Sequence, residues 1–89
     1  MSRWSILGRT AKILEERRDQ YGDPREQFAA IAERWSITLG IDVTAAQVVL
    51  CMIDLKLARL AHDPNYADGP IDVIGYAALM PEIIRGTRS

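Results

Sequence analysis

The sequence predicts an all-α, four-helix domain. Three observations carry that reading. Apolar residues recur at spacings of three and four through four segments, each segment is bounded by cap or stop residues, and no strand alternation, internal repeat or low-complexity tract intervenes. With 89 residues the chain makes one small domain, which buries only about 60–65% of its unfolded surface, so self-association is an expected supplement to its core.

The first helix is expected over about residues 4–20, where Ile6, Leu7, Ala11 and Leu14 recur at helical spacing and Gly22 supplies a stop. The second follows at once, over about 24–39. Asp23 suits the N-cap, Pro24 the first helical position, and Glu26 stands where a capping box places its reciprocal partner. Phe28, Ile31, Ala32, Trp35 and Leu39 make one apolar stripe closed by Gly40, and Phe28 and Trp35 are expected in the core. Thr44 caps a third helix, about 44–62, whose first half is apolar nearly all round. Such a helix is either central or covered on a second face by another subunit. Cys51 lies within it and is expected to be an inert core residue. The fourth helix is expected from Pro70, with Asp68 or Gly69 as cap, to about residue 84. Pro81 inside it should kink or end it, leaving a further turn and a frayed tail over 85–89.

Composition excludes several function classes. A net charge of −1, spread along the chain, offers no basic face for a nucleic-acid duplex. One cysteine and one histidine leave no disulfide framework and little basis for a transition-metal site or a catalytic triad. No apolar run approaches the roughly 18 residues of a membrane span, and no signal peptide is visible, so a cytoplasmic location is expected.

Two polar constellations remain. In "RDQYGDPRE" the cap chemistry of Gly22, Asp23, Pro24 and Glu26 explains four residues without a ligand, while Tyr21 can either pack over the corner or point its hydroxyl into a pocket. Lys56 and Arg59 share a face of the third helix. Asp72 and Tyr76 share a face of the fourth, with Asp68 one nominal turn earlier and Gly75 allowing close approach. Packed antiparallel, these helices bring Asp72 to Lys56 or Arg59. One reading is an intrasubunit salt bridge beside a packing glycine; the other is an anion site at Lys56 and Arg59 with Asp68 and Asp72 holding a hard cation such as Mg2+.

The blocks "RRDQYGDPREQFAAIAERWSITLG", "KLARLAHDP" and "DVIGYAAL" resemble, in order, those of a small phage-encoded family of unknown function. That family in turn is distantly similar to phage nucleotide-modification-associated proteins and to the MazG-like all-α NTP pyrophosphatases. The resemblance implies a helical, usually oligomeric protein that holds a nucleoside triphosphate and Mg2+ between helices, in the host cytoplasm. It implies Lys56 and Arg59 on phosphates, Tyr21 or Tyr76 against base or sugar, and Asp72 with Asp68 or Asp19 on Mg2+. The acidic pairs of MazG-like enzymes are only partly present. The third helix offers Asp54 alone, the first offers Glu16 and Asp19, and the fourth offers Asp72. The resemblance therefore supports a nucleotide-sized pocket more than hydrolysis. The alternative is a non-catalytic oligomeric phage module that binds a host protein or sequesters a small signalling molecule, with the same polar residues fixing helix packing.

Overall fold

A computed structural model of the chain describes residues 2–87. Among them are four α-helices and no strand: α1 Arg3–Tyr21, α2 Pro24–Leu39, α3 Ala45–His62 and α4 Asp68–Thr87. The all-α expectation holds, with helix starts and stops set by local chemistry. Ser2 caps α1, its hydroxyl accepting from the Ser5 amide at 3.1 Å. Gly40, with φ +71°, closes α2 in the left-handed conformation that glycine adopts without penalty. Thr44 and Gln47 form a complete capping box on α3.

The expected capping box at α2 does not form as predicted. Asp23 is the N-cap, but it accepts from the Arg25 amide at 2.9 Å and from the Arg25 guanidinium at 2.9 Å. Arg25 satisfies the carboxylate two residues into the helix, and Glu26 is left as a first-turn acid facing the helix dipole. α4 also departs from expectation at both ends. It begins at Asp68, so Asp68 lies in the first turn and Pro70 at the third position, where a missing N–H has no helical partner to lose. It then runs through Pro81 into the expected tail and ends at Thr87; Arg88 and Ser89 lie outside the described residues. Proline withholds a donor from the carbonyl of Ala77, but both residues are exposed, so solvent can reach that group. Ile83, only 1% exposed, anchors the turn that follows.

The core is built by α2, α3 and α4. Phe28, Ala32, Ala45, Val48, Val49 and Ile83 form its buried cluster, and Ile31, Trp35, Met52, Ile53, Tyr76 and Leu79 pack around it. Tyr76 meets Phe28 edge-on, with ring centroids 6.2 Å apart. α3 and α4 make the most extensive contact. Leu60 against Gly69 and Lys56 against Asp72 show that they run antiparallel, as the short loop between them predicts. α3 is the central helix of the alternative raised by its composition, yet one face stays open: Leu50, Cys51 and Leu57 are exposed. Cys51 is thus not a core residue, because Val48, Val49, Met52 and Ile53 take the inward positions.

α1 is attached differently. It lies chiefly on α4 and barely touches α2, and its only buried residue is Thr10, whose hydroxyl donates to the Ile6 carbonyl at 2.7 Å. Leu7 and Ala11, expected on its inner stripe, are exposed, and Ile6, Thr10, Ile13 and Leu14 face inward instead. A hydroxyl satisfied within its own helix can be buried at small cost, which the apolar pattern could not reveal.

Candidate functional site

The corner between α1 and α2 and the inner side of α4 enclose a groove of about 640 Å³. Its base is formed by Thr10, Phe28 and Ile71, all buried. Leu14, Gly75 and Tyr76 make the side walls, and Arg17, Arg18 and Tyr21 stand at the corner. Each wall has a local cause. Gly22, at φ +82° and ψ −151°, holds a conformation open essentially only to glycine and turns the chain sharply enough to bring both helices to the groove. Gly75 leaves room on α4: a methyl placed there would meet Leu14 and Thr10 only at 3.9 Å, ordinary contact.

The sequence-predicted residues divide across this geometry. Tyr21, Tyr76, Asp19, Asp72, Asp23 and Pro24 all line the groove. Tyr21 is 58% exposed, so it is not buried over the corner, and it lines the open wall of the groove. Lys56 reaches Asp72 from α3 at 3.2 Å, and both side chains are 14% exposed, which is the predicted intrasubunit bridge. Arg59, Asp68 and Glu26 do not line the groove; all three are exposed.

Sequence reasoning missed Arg17, Arg18 and Arg25 as groove residues, although Arg18 and Arg25 lie in the polar corner it singled out and Arg17 directly precedes it. Nothing in a single helix pattern says that α4 will pass beneath them. Facing these arginines are Glu15, Asp19, Asp23, Asp72 and Glu82. Two of the carboxylates are matched, Asp23 by Arg25 at 2.9 Å and Asp72 by Lys56. Hydrogen bonds from the Arg25 side chain, then from its backbone, hold the Asp23 carboxyl below its ordinary pKa, and the same pairing raises Arg25. The groove thus combines two tyrosine rings with charges of both signs.

A bound Mg2+ needs carboxylates that converge. Among the described residues no three or more His, Cys, Asp or Glu side chains gather as a metal site. Asp72 is already paired, and Asp68 lies away from Asp19 and the groove. These residues do not fit a Mg2+ held by the protein alone. No helix among the described residues is long and apolar enough to cross a membrane.

Similar proteins give the chain a family without giving it a function. It is 33% identical over 81 residues to the Gene 55 protein of Mycobacterium phage L5, covering 89% of this chain and 52% of that protein. It is 34% identical over 80 residues to the Gene 55 protein of Mycobacterium phage D29, covering 89% of this chain and 53% of that one. The chain therefore spans about half the length of these relatives. No solved structure matches it. The family described as a domain of unknown function, DUF6378, matches residues 5–84, nearly the whole of the groove and core described above, and the chain belongs to that family.

Proposed function

We propose that the domain is a binding module for a nucleotide or similar small phosphorylated ligand, taken into the groove between α1, α2 and α4 in the cytoplasm of a phage host. The observation that carries this reading is the groove itself. At about 640 Å³ it falls within the few hundred to roughly 1,000 Å³ typical of small-ligand sites, and its largely apolar base is edged by charged groups of both signs. Tyr21 and Tyr76 offer ring faces for a base or sugar, and Arg17 and Arg18 offer bidentate donors for phosphate. Lys56 acts at one remove, by holding Asp72 in the wall. Arg59, outside the groove, is assigned at most a long-range electrostatic role.

Binding, not hydrolysis, is the activity proposed. Activating water against a triphosphate calls for several converging carboxylates, and the described residues do not gather them. Glu15, Asp19 and Glu82 also face the groove, and they oppose an unescorted polyanion. A triphosphate therefore binds best with Mg2+ carried on its own phosphates, whereas a monophosphate or nucleoside needs no such escort.

The test is a thermal-shift screen against nucleoside triphosphates, monophosphates and cyclic nucleotides, each with and without Mg2+. Saturation at 100 times the dissociation constant adds about 2.7 kcal/mol, a shift of roughly 10 °C or more in a domain this small. The shift should vanish in Arg18→Ala with Tyr76→Leu. Silence across the whole panel would refute nucleotide binding.

A second reading, an oligomeric module that docks a host protein, is favoured by one observation. Trp4 at 71%, Ile37 at 68%, Ile41 at 63% and Leu50 at 50% exposed are large apolar side chains left open to solvent that a partner could cover. Sedimentation at micromolar concentration separates the cases: a clean 10.0 kDa species removes the homo-oligomer.

A further inference from the structure

We infer that α1 is an arm that swings away from α4 about Gly22, as one helix, to uncover the base of the groove. The inference rests on the groove being the binding site, and it assigns the regulation of access to that site.

Four observations point to it. First, the groove is closed at depth: Thr10, Phe28 and Ile71 line it but are 3%, 6% and 4% exposed, so a ligand using the apolar base must displace something. Thr10 belongs to α1 itself and packs over Gly75 of α4, so lifting α1 opens the groove along that contact. Second, α1 is the least embedded helix. Thr10 is its one buried residue, whereas α3 buries Ala45, Val48 and Val49, and the core cluster takes no residue from α1.

Third, the two glycines of α4 show different kinds of contact. At Gly69 an added methyl would lie 2.5 Å from the Leu60 side chain, so α3 and α4 are interlocked there. At Gly75 the same methyl meets the Thr10 and Leu14 side chains of α1 only at 3.9 Å, ordinary contact, so the α1–α4 approach there is looser than the α3–α4 approach at Gly69. Fourth, the joint is suited to pivoting. α1 ends at Tyr21, α2 begins at Pro24, and Gly22 between them has access to backbone angles that other residues avoid. Asp23 keeps its cap on α2 through Arg25, so α2 need not fray when α1 moves.

The test uses thiol accessibility without any ligand. In a Cys51→Ser background, which removes the one native thiol, Thr10→Cys places a probe at the α1–α4 contact and Val48→Cys places one in the core, where the native side chain is 0% exposed. If α1 opens as an arm, an aromatic disulfide reagent labels Cys at position 10 at least ~10-fold faster than at position 48, at a rate nearly independent of low urea. Equal rates with equal urea dependence would mean that α1 leaves only when the whole domain unfolds, and would overturn the inference. Hydrogen exchange on the unmodified chain guards against a misfolded variant. Amides from Ile13 to Arg18 should exchange ahead of those from Val48 to Ile53, because a detached helix of this length is marginal by itself. Fast exchange confined to the first two turns of α1 would indicate end fraying and would equally overturn it. Since no ligand enters these measurements, a silent nucleotide screen refutes the binding reading and leaves the arm standing, and the converse also holds.

Discussion

Removing one member of the Lys56–Asp72 pair is the perturbation whose size the structure constrains best. The ammonium and carboxylate are 3.2 Å apart, and each side chain is 14% exposed, tucked between α3 and α4 where those helices cross in antiparallel register. Exposed pairs contribute about 0.2–1 kcal/mol, whereas taking one partner from a fully buried pair costs about 3–5 kcal/mol, because the survivor keeps its desolvation without its counter-charge. At this degree of burial the expected loss for Lys56→Met or Asp72→Leu is about 2–3 kcal/mol. The assay is urea unfolding followed by far-UV circular dichroism, with the midpoint falling and the slope unchanged. In a chain of this size the loss corresponds to roughly 10–20 °C in Tm. The double variant should lie closer to the native protein than either single one, since no stranded charge remains. The reasoning fails if either single variant costs less than about 0.5 kcal/mol, or if the double simply sums the two.

Gly69→Ala should destabilise by about 1–3 kcal/mol, because its methyl meets Leu60 at 2.5 Å; much of that loss should disappear in a Leu60→Ala background, and additivity would contradict the close approach. Ile83→Ala should cost about 2–5 kcal/mol by chemical denaturation, since the residue is 1% exposed; a surface-like value would mean that α4 stops at Pro81. Asp23 has a carboxyl pKa held below 3.8, so the stability from its Arg25 pairing is present above that pH and lost as pH falls through the lowered value. The Asp23 carboxyl, followed by NMR, should titrate below 3.8 in the native protein and move back toward it in Arg25→Met.

The helices themselves were legible because their signals are local. Thr44 and Asp23 as caps, Gly22 and Gly40 as stops, and the stripe from Phe28 to Trp35 all act within a few residues, through backbone groups that every helix end must satisfy. Asp72 against Lys56 was legible for a related reason: a short loop forces antiparallel neighbours, and helical spacing then sets which faces meet. Where local signals competed, the sequence alone pointed the wrong way. Pro81 reads as a stop, and only the docking of Ile83 into a core made by other helices carries α4 past it. Cys51 reads as core, and only the packing of α2 and α4 on the side of α3 that carries Val48, Val49, Met52 and Ile53 leaves it outside.

The groove lies wholly in that second category. By itself the sequence determined an all-α chain, its helix boundaries to within a few residues, and a polar corner at Arg18 to Glu26, because propensity, capping and periodicity depend on neighbours a turn or two away. Tertiary structure alone decided that α4 passes beneath that corner, that Arg17 and Arg18 face Tyr76 and Asp72 across a groove, and that Arg59 and Asp68 do not. Those outcomes depend on which helix faces are buried together, and with apolar residues on several faces of α1 and α3 the hydrophobic pattern admits more than one packing until the whole core is assembled.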